Sequence, residues 1–134
     1  MRGPSEIGTA LGAARTAARS FEAISGRVSA ADRIRMIESI AVGYYRAQQY
    51  AKAMQWGQRY FKEGGTSGAI RTMLIQSQYL SGDYAGAAKE LMVEVQAAER
   101  AGSPPPEDRL KLLLNAASKQ GDNNAYVYAM EKLV

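Results

Sequence analysis

Three groupings in this chain have residue types and spacing that could do chemistry. Glu90 and Glu94 stand at i and i+4, with Glu99 beyond them, and carboxylates one helical turn apart can share acid–base work or hold a divalent cation. No Asp-rich loop recurs beside them, so a wet acidic helix face is the expectation. Lys89, Lys111 and Tyr128 have the functional groups of a nucleophile or an acid, yet nothing spaced around them forms an activating set. The third grouping, Lys62-Glu-Gly-Gly-Thr-Ser-Gly68, is Gly-rich like a phosphate-binding loop. It lacks the Lys-Ser/Thr pair that must follow, since Ala69-Ile70 stands there, and a turn between helices explains it better. With no His and no Cys anywhere, imidazole proton transfer, thiolate attack and most transition-metal sites have no residues to build them. The expectation is a protein without catalytic residues, cofactor or metal.

The elements that hold these residues are set by length, charge and periodicity. A chain of 134 residues with 46% hydrophobic content fits a single domain, expected over 1–134. Eight Tyr against two Phe and one Trp favour a thin, layered architecture, because amphipathic rings suit half-wet positions. The longest run without a charge, Thr72 to Gly82, is far short of the roughly 18 residues of a membrane span. No membrane insertion is expected. Glu6, Arg15 and Arg19 interrupt the place where a secretion signal would be apolar, and the lack of Cys leaves a cytoplasmic and a periplasmic location equally open. Charge is uneven: residues 1–62 carry ten Lys/Arg against four Asp/Glu, and residues 63–134 carry seven against nine. A basic half of that kind can attract an acidic partner, although scattered cations are also what solvated helix faces look like.

A period organises the chain. Tyr50-Ala-Lys-Ala53 returns as Tyr84-Ala-Gly-Ala87, 34 residues later, and the turn before each is echoed at Gln120-Gly-Asp-Asn123 after 39 residues. The five extra residues fit the loop Gly102-Ser-Pro-Pro-Pro106. Between the turns, apolar residues recur with helical spacing, as at Ile34, Ile37, Ile40, Ala41 and Tyr44. Helices are expected at about 5–11, 13–25, 30–47, 50–63, 67–81, 84–101, 106–120 and 123 onward, the first two being one rod if Ser5 to Ile24 is continuous. Ser29 or Asp32 and Thr66 or Ser67 are the expected caps, and Pro106 suits a helix start, with Glu107 and Asp108 at its positive end.

A period near 34 with these residues resembles the tetratricopeptide repeat. Ile37, Ile40, Ala41, Tyr44 and Ala53 are similar to the large, small and aromatic positions of its helix pair, with Gly57 where a bulky aromatic is usual. Leu74, Ile75, Tyr84, Ala87 and Leu91 follow as a second copy, with Arg71 and Gln78 at apolar and aromatic positions. Leu110, Leu113, Leu114, Ala117 and Met130 form a third, with Tyr126 in place of the small crossing residue. Gly12, Ala17 and Phe21 trace a partial leading unit. The chain thus resembles the repeat segment of a bacterial protein of this family. The resemblance implies an all-α solenoid of antiparallel helix pairs, a right-handed superhelix with a partial unit at 5–29 and repeats at about 30–65, 66–102 and 106–134.

The same resemblance implies a binding scaffold, because stacked pairs leave a concave groove lined by the first helix of each pair. The groove residues would be Arg35, Glu38, Ser39, Val42, Tyr45 and Arg46, then Thr72, Met73, Gln76, Tyr79 and Leu80, then Asp108, Lys111, Leu112, Asn115, Ser118 and Lys119; of these Arg35, Ser39, Val42, Tyr45, Arg46, Gln76, Tyr79, Lys111 and Asn115 are the expected contacts. The expected occupant is a protein or peptide partner, held by tyrosine stacking and hydrogen bonds, unless Tyr45 and Tyr79 serve only to pack the repeats. Lys111 and Asn115, one turn apart, resemble the basic and amide residues with which some family members grip a C-terminal carboxylate. Two rival readings remain at this point. One is single-stranded nucleic-acid binding by the basic half, the less favoured; the other is self-association through the C-terminal helix, where Tyr126, Met130 and Leu133 have no following unit to cover them.

Overall fold

The computed structural model describes residues 4–134 and is entirely helical among them, with no strand. Helix α1 runs Pro4–Ile24 and is followed by one 3₁₀ turn at Ser25–Arg27; α2 is Ala30–Arg46, α3 Tyr50–Lys62, α4 Gly68–Leu80, α5 Tyr84–Arg100, α6 Glu107–Gln120 and α7 Asn123–Leu133. Ser5 to Ile24 is therefore one rod. None of these helices is long and apolar enough to cross a membrane. The chain divides into two compact units, one reaching to Ser77 and the other spanning Gln78–Val134.

In the first unit α2 packs against both α1 and α3. Its stripe Ile37, Ile40, Ala41 and Tyr44 is buried, at the spacing that puts four side chains on one helical face. The matching face of α1 is Leu11, Ala14, Ala18 and Phe21, not the Gly12 and Ala17 expected from the leading partial unit, which are exposed. Small residues let these two helices come close: a Cβ on Gly43 would stand 3.1 Å from that of Ala14. Gly57, at the position expected to be aromatic, is buried with the Leu74 side chain filling the space instead. Ser29 Oγ accepts from the Asp32 amide at 3.2 Å and Ser67 Oγ from the Ile70 amide at 3.3 Å, capping α2 and α4. Arg33 ties three segments together, donating to the Ser25 carbonyl at 2.9 Å and to both oxygens of Glu63.

In the second unit α6 packs against α5 and α7, around Leu91, Val95, Leu110 and Leu113 with Ala87, Ala116 and Ala117 between them. Tyr126 does not occupy the crossing of α6 and α7. The helix is turned so that Ala125 and Ala129 are buried there and Tyr126 is exposed, which restores the close approach that a tyrosine would have prevented. On α4, Ser77 Oγ and Gln78 Oε1 are buried without a hydrogen-bond partner among the described residues.

One turn geometry recurs at every reversal from α2 onward. A residue one or two positions past the helix is left-handed: Gln48 (φ 60°), Gly64 (104°), Gly82 (89°), Gly102 (77°) and Gly121 (76°). The next amide then bonds back five residues, as from Gln49 to Tyr44, Asp83 to Gln78 and Asp122 to Ala117, at 2.8–3.0 Å. Such a closure satisfies the carbonyls that a helix end leaves open. In the two later turns that echo the first in sequence, Asp83 and Asp122 also cap the next helix, accepting from Gly86 and Ala125 at 3.0 and 3.1 Å. Gln49 makes no such bond, although its φ and ψ (−94°, 75°) nearly match those of Asp83 (−84°, 69°).

The first turn is thus a weakened copy of the second, and restoring it should stabilise the first unit. Gln48→Gly removes a left-handed cost of roughly 1–2 kcal/mol at the expense of about 0.5–1 kcal/mol in chain entropy. Gln49→Asp adds a cap of about 1 kcal/mol. Thermal unfolding followed by circular dichroism should show the double variant melting several degrees higher, and an unchanged or lower midpoint would refute the equivalence of the turns.

Candidate functional site

Because α2 buries the Ile37–Tyr44 stripe, residues half a turn away must face outward, and Arg35, Ser39, Val42 and Arg46 do. Together with Glu38 and Gly43 they line an open depression of about 490 Å³. The end nearer the α2 N-terminus meets an apolar pocket of about 330 Å³ between α1 and α2, formed by Ala17, Phe21, Ile24, Met36 and Ile40 with Ser20, and shared at the rim by Arg35 and Ser39. At the other end Arg46 joins a shallow hollow along α1 from Ser5 to Ala13. These three depressions share lining residues and together make a track beside α2.

The track brings together four of the expected contact residues. Tyr45 is not among them: its ring meets Tyr50 edge-on, with centroids 5.7 Å apart. Tyr79 does the same with Tyr84 at 5.2 Å, so the 34-residue period is repeated in aromatic geometry as well as in sequence. Each tyrosine couples the end of one helix to the start of the next. Gln76 is half-buried on α4, and Met73, expected to face the groove, is buried. Lys111 and Asn115 are exposed on α6, with Lys111 Nζ 3.0 Å from Glu107. The apolar pocket was not anticipated, because α1 has alanines on every side and its inward face has no distinct period.

Electrostatics bind the helices to one another at several points. Arg59 lies 4.9 Å from the ring centres of both Phe21 and Trp56 and donates to Glu22 at 2.6 Å. Arg71 stacks over Phe61 at 4.2 Å. Arg35 pairs with Asp32 on its own helix, and that hydrogen bond, with one from Ser29, holds the Asp32 carboxyl below its ordinary value. The glutamates of α5 are not a plain wet face. Glu94 reaches Arg109 at 3.4 Å, and Glu99 accepts from the Tyr128 hydroxyl and meets Lys132 Nζ at 3.1 Å. Glu99 is lowered chiefly by the Tyr128 hydrogen bond, whereas the Tyr128 phenol is pushed up to about 12, first by burial and then by Glu99. This triad ties α5 to α7. Among the described residues no group of three or more candidate ligands is placed to hold a metal.

No protein-family model, curated protein or solved structure matches the chain.

The triad gives a pH signature. Folding raises the Tyr128 phenol from 10.0 to about 12, so its contribution to stability is whole below pH 10 and is lost as pH climbs through that interval. Tyr128→Phe should cost about 1 kcal/mol at neutral pH and should flatten the alkaline loss relative to wild type. Denaturant unfolding of both proteins at pH 8 and near pH 11 measures the difference; parallel losses would show that the hydrogen bond is not formed in solution. Separately, Tyr45→Ala and Tyr79→Ala should each lower stability by about 1–2 kcal/mol through lost ring contacts, whereas Ser39→Ala, on the open track, should change it by less than about 0.5 kcal/mol.

Proposed function

We propose that the chain is a non-catalytic scaffold of tetratricopeptide type that binds a protein or peptide partner through the outward face of the first helix of a pair. The observation that carries this reading is the track beside α2. Arg35, Ser39, Val42 and Arg46 come from one helical stripe and line one depression, on what would be the ligand side of a repeat of this type. A depression with an apolar floor at one end and guanidinium groups along it suits a peptide with an apolar anchor and flanking acceptors. The recurring turn and the paired tyrosines, both at a 34-residue interval, support the repeat itself.

The reading is favoured over nucleic-acid binding by the use of the cations. Arg33 and Arg59 are engaged with carboxylates, and Arg59 and Arg71 lie on aromatic rings. These groups are turned toward the protein rather than arrayed as a phosphate track, which is what sequence-independent strand binding demands. Tyr45 and Tyr79 enter the reading as supports of the helix pairs; Gln76, half-buried on α4, and Lys111 and Asn115 on the second unit remain candidate contacts.

Affinity capture from the source organism's lysate tests it, with wild type and Val42→Asp as parallel baits. Val42 is half-buried and its side chain also touches the core, so the variant should keep its helical circular dichroism spectrum while melting a few degrees lower. At least one protein retained by wild type should fall about tenfold or more with Val42→Asp, as expected for a charge placed in the centre of a contact. Identical retention on the two baits would end the proposal for this surface.

A further inference from the structure

Helix α7 carries an apolar ridge on the side away from α6. Tyr126 (38% exposed), Val127 (51%) and Met130 (41%) lie there with Val134, and Glu131 flanks them in the exposed arc. The first unit has the complementary feature: the apolar pocket between α1 and α2, about 330 Å³, with Arg35 at its rim. Charge agrees with shape. Residues 1–77 carry eleven Lys/Arg and five Asp/Glu, whereas residues 78–134 carry six and eight, giving +6 and −2. The carboxylate that now faces Arg35 is Asp32, in a pair whose side chains are 74% and 46% exposed, and an ion pair so open to water costs little to share with an incoming carboxylate.

We propose that the α7 ridge of one molecule docks into the α1–α2 pocket of a second copy of this chain, with Val127 and Met130 as the apolar anchors and Glu131 facing Arg35. The donor and acceptor surfaces differ, so the contact is head-to-tail and can propagate from copy to copy. One helix in one pocket makes a small interface, and small interfaces are weak. The association therefore appears with rising concentration and weakens with salt, which screens the attraction between the basic and acidic units. This inference does not rest on the partner reading above, although the pocket shares Arg35 and Ser39 with that track, so a self-docked copy and a track-bound partner exclude each other.

Sedimentation velocity of the full chain at about 10 μM to 1 mM, in low and high salt, provides the first test. The expected result is a sedimentation coefficient that climbs with concentration and less steeply in high salt; a constant monomer value throughout overturns the proposal. Two variants at exposed positions then separate the modes. Val127→Asp spoils the ridge and Ala17→Trp fills the pocket, and each should be monomeric alone with a wild-type circular dichroism spectrum. Their equimolar mixture should recover a one-to-one dimer and nothing longer, since only one good ridge and one good pocket remain. If Val127→Asp perturbs the helix, Met130→Lys replaces it. Persistent association of either ridge variant overturns the proposal, as does an Ala17→Trp protein that still dimerises, which would mean that α7 pairs with α7. The charge contact is read by Glu131→Arg, expected to weaken self-association several-fold and to regain it against an Arg35→Glu partner.

Discussion

A helix that must reverse within a short turn leaves its last carbonyls without partners, and the way this chain satisfies them governs the rest of its structure. From α2 onward the answer is always the same: one left-handed residue, then an amide that bonds back five positions. Closure of this kind fixes where the next helix can start, and α2 with α3, α5 with α6 and α6 with α7 then pack against each other. Once the reversal is fixed, the remaining freedom is the rotation of each helix about its axis. That rotation is decided by which stripe is apolar, as at Ile37, Ile40, Ala41 and Tyr44. The outward stripe of α2 is then a consequence rather than an independent choice, and the candidate contact residues are whatever the sequence places there.

The helices were legible because turns and stripes repeat. Gly82-Asp83 and Gly121-Asp122 mark two reversals directly, and Ala47-Gln-Gln-Tyr50 could be recognised through its register with them even though no glycine is present. The continuity of α1 was left open: the expected helices part at Gly12, yet this glycine is exposed on the helix, where it costs propensity without interrupting the hydrogen bonds. The site was half legible. Arg35, Ser39, Val42 and Arg46 follow from the buried face of α2 by subtraction. For Tyr45 and Tyr79 the sequence left two roles open, since a tyrosine at the edge of a buried stripe is equally suited to a ligand and to a neighbouring ring, and geometry sets them edge-on to Tyr50 and Tyr84. The pocket at Phe21 was hidden by composition, because Ala10, Ala13, Ala14, Ala17 and Ala18 give α1 no distinct apolar side.

Charge was the least legible property. Local patterns expose pairs at i and i+4, but the ties that matter here join residues far apart in sequence: Arg33 to Glu63, Glu94 to Arg109 and Glu99 to Lys132. Their side chains are about one-fifth to one-third exposed, between the fully wet pairs that contribute little and the buried pairs whose desolvation is costly. Such pairs add modest energy but specify which helix meets which. They also change the meaning of the composition, since Glu94 is engaged by Arg109 and Glu99 by Tyr128 and Lys132 rather than standing as a free acidic face.

The rotation of α7 shows how one packing rule can generate a surface. Equivalence with α5 through the shared cap, Asp83 and Asp122, would direct Tyr126 at α6 just as Ala87 is directed inward. A tyrosine there would hold the two helices apart and leave the α6 stripe of Leu110, Leu113, Ala116 and Ala117 poorly covered, forfeiting contacts that depend on close approach. Turning the helix so that Ala125 and Ala129 meet α6 recovers that approach. The same rotation carries Tyr126, Val127 and Met130 to the opposite side, where nothing in the second unit covers them among the described residues. The exposed ridge therefore does not require a separate explanation in the sequence: it is what remains when the smallest residues of an otherwise bulky helix are chosen for the crossing.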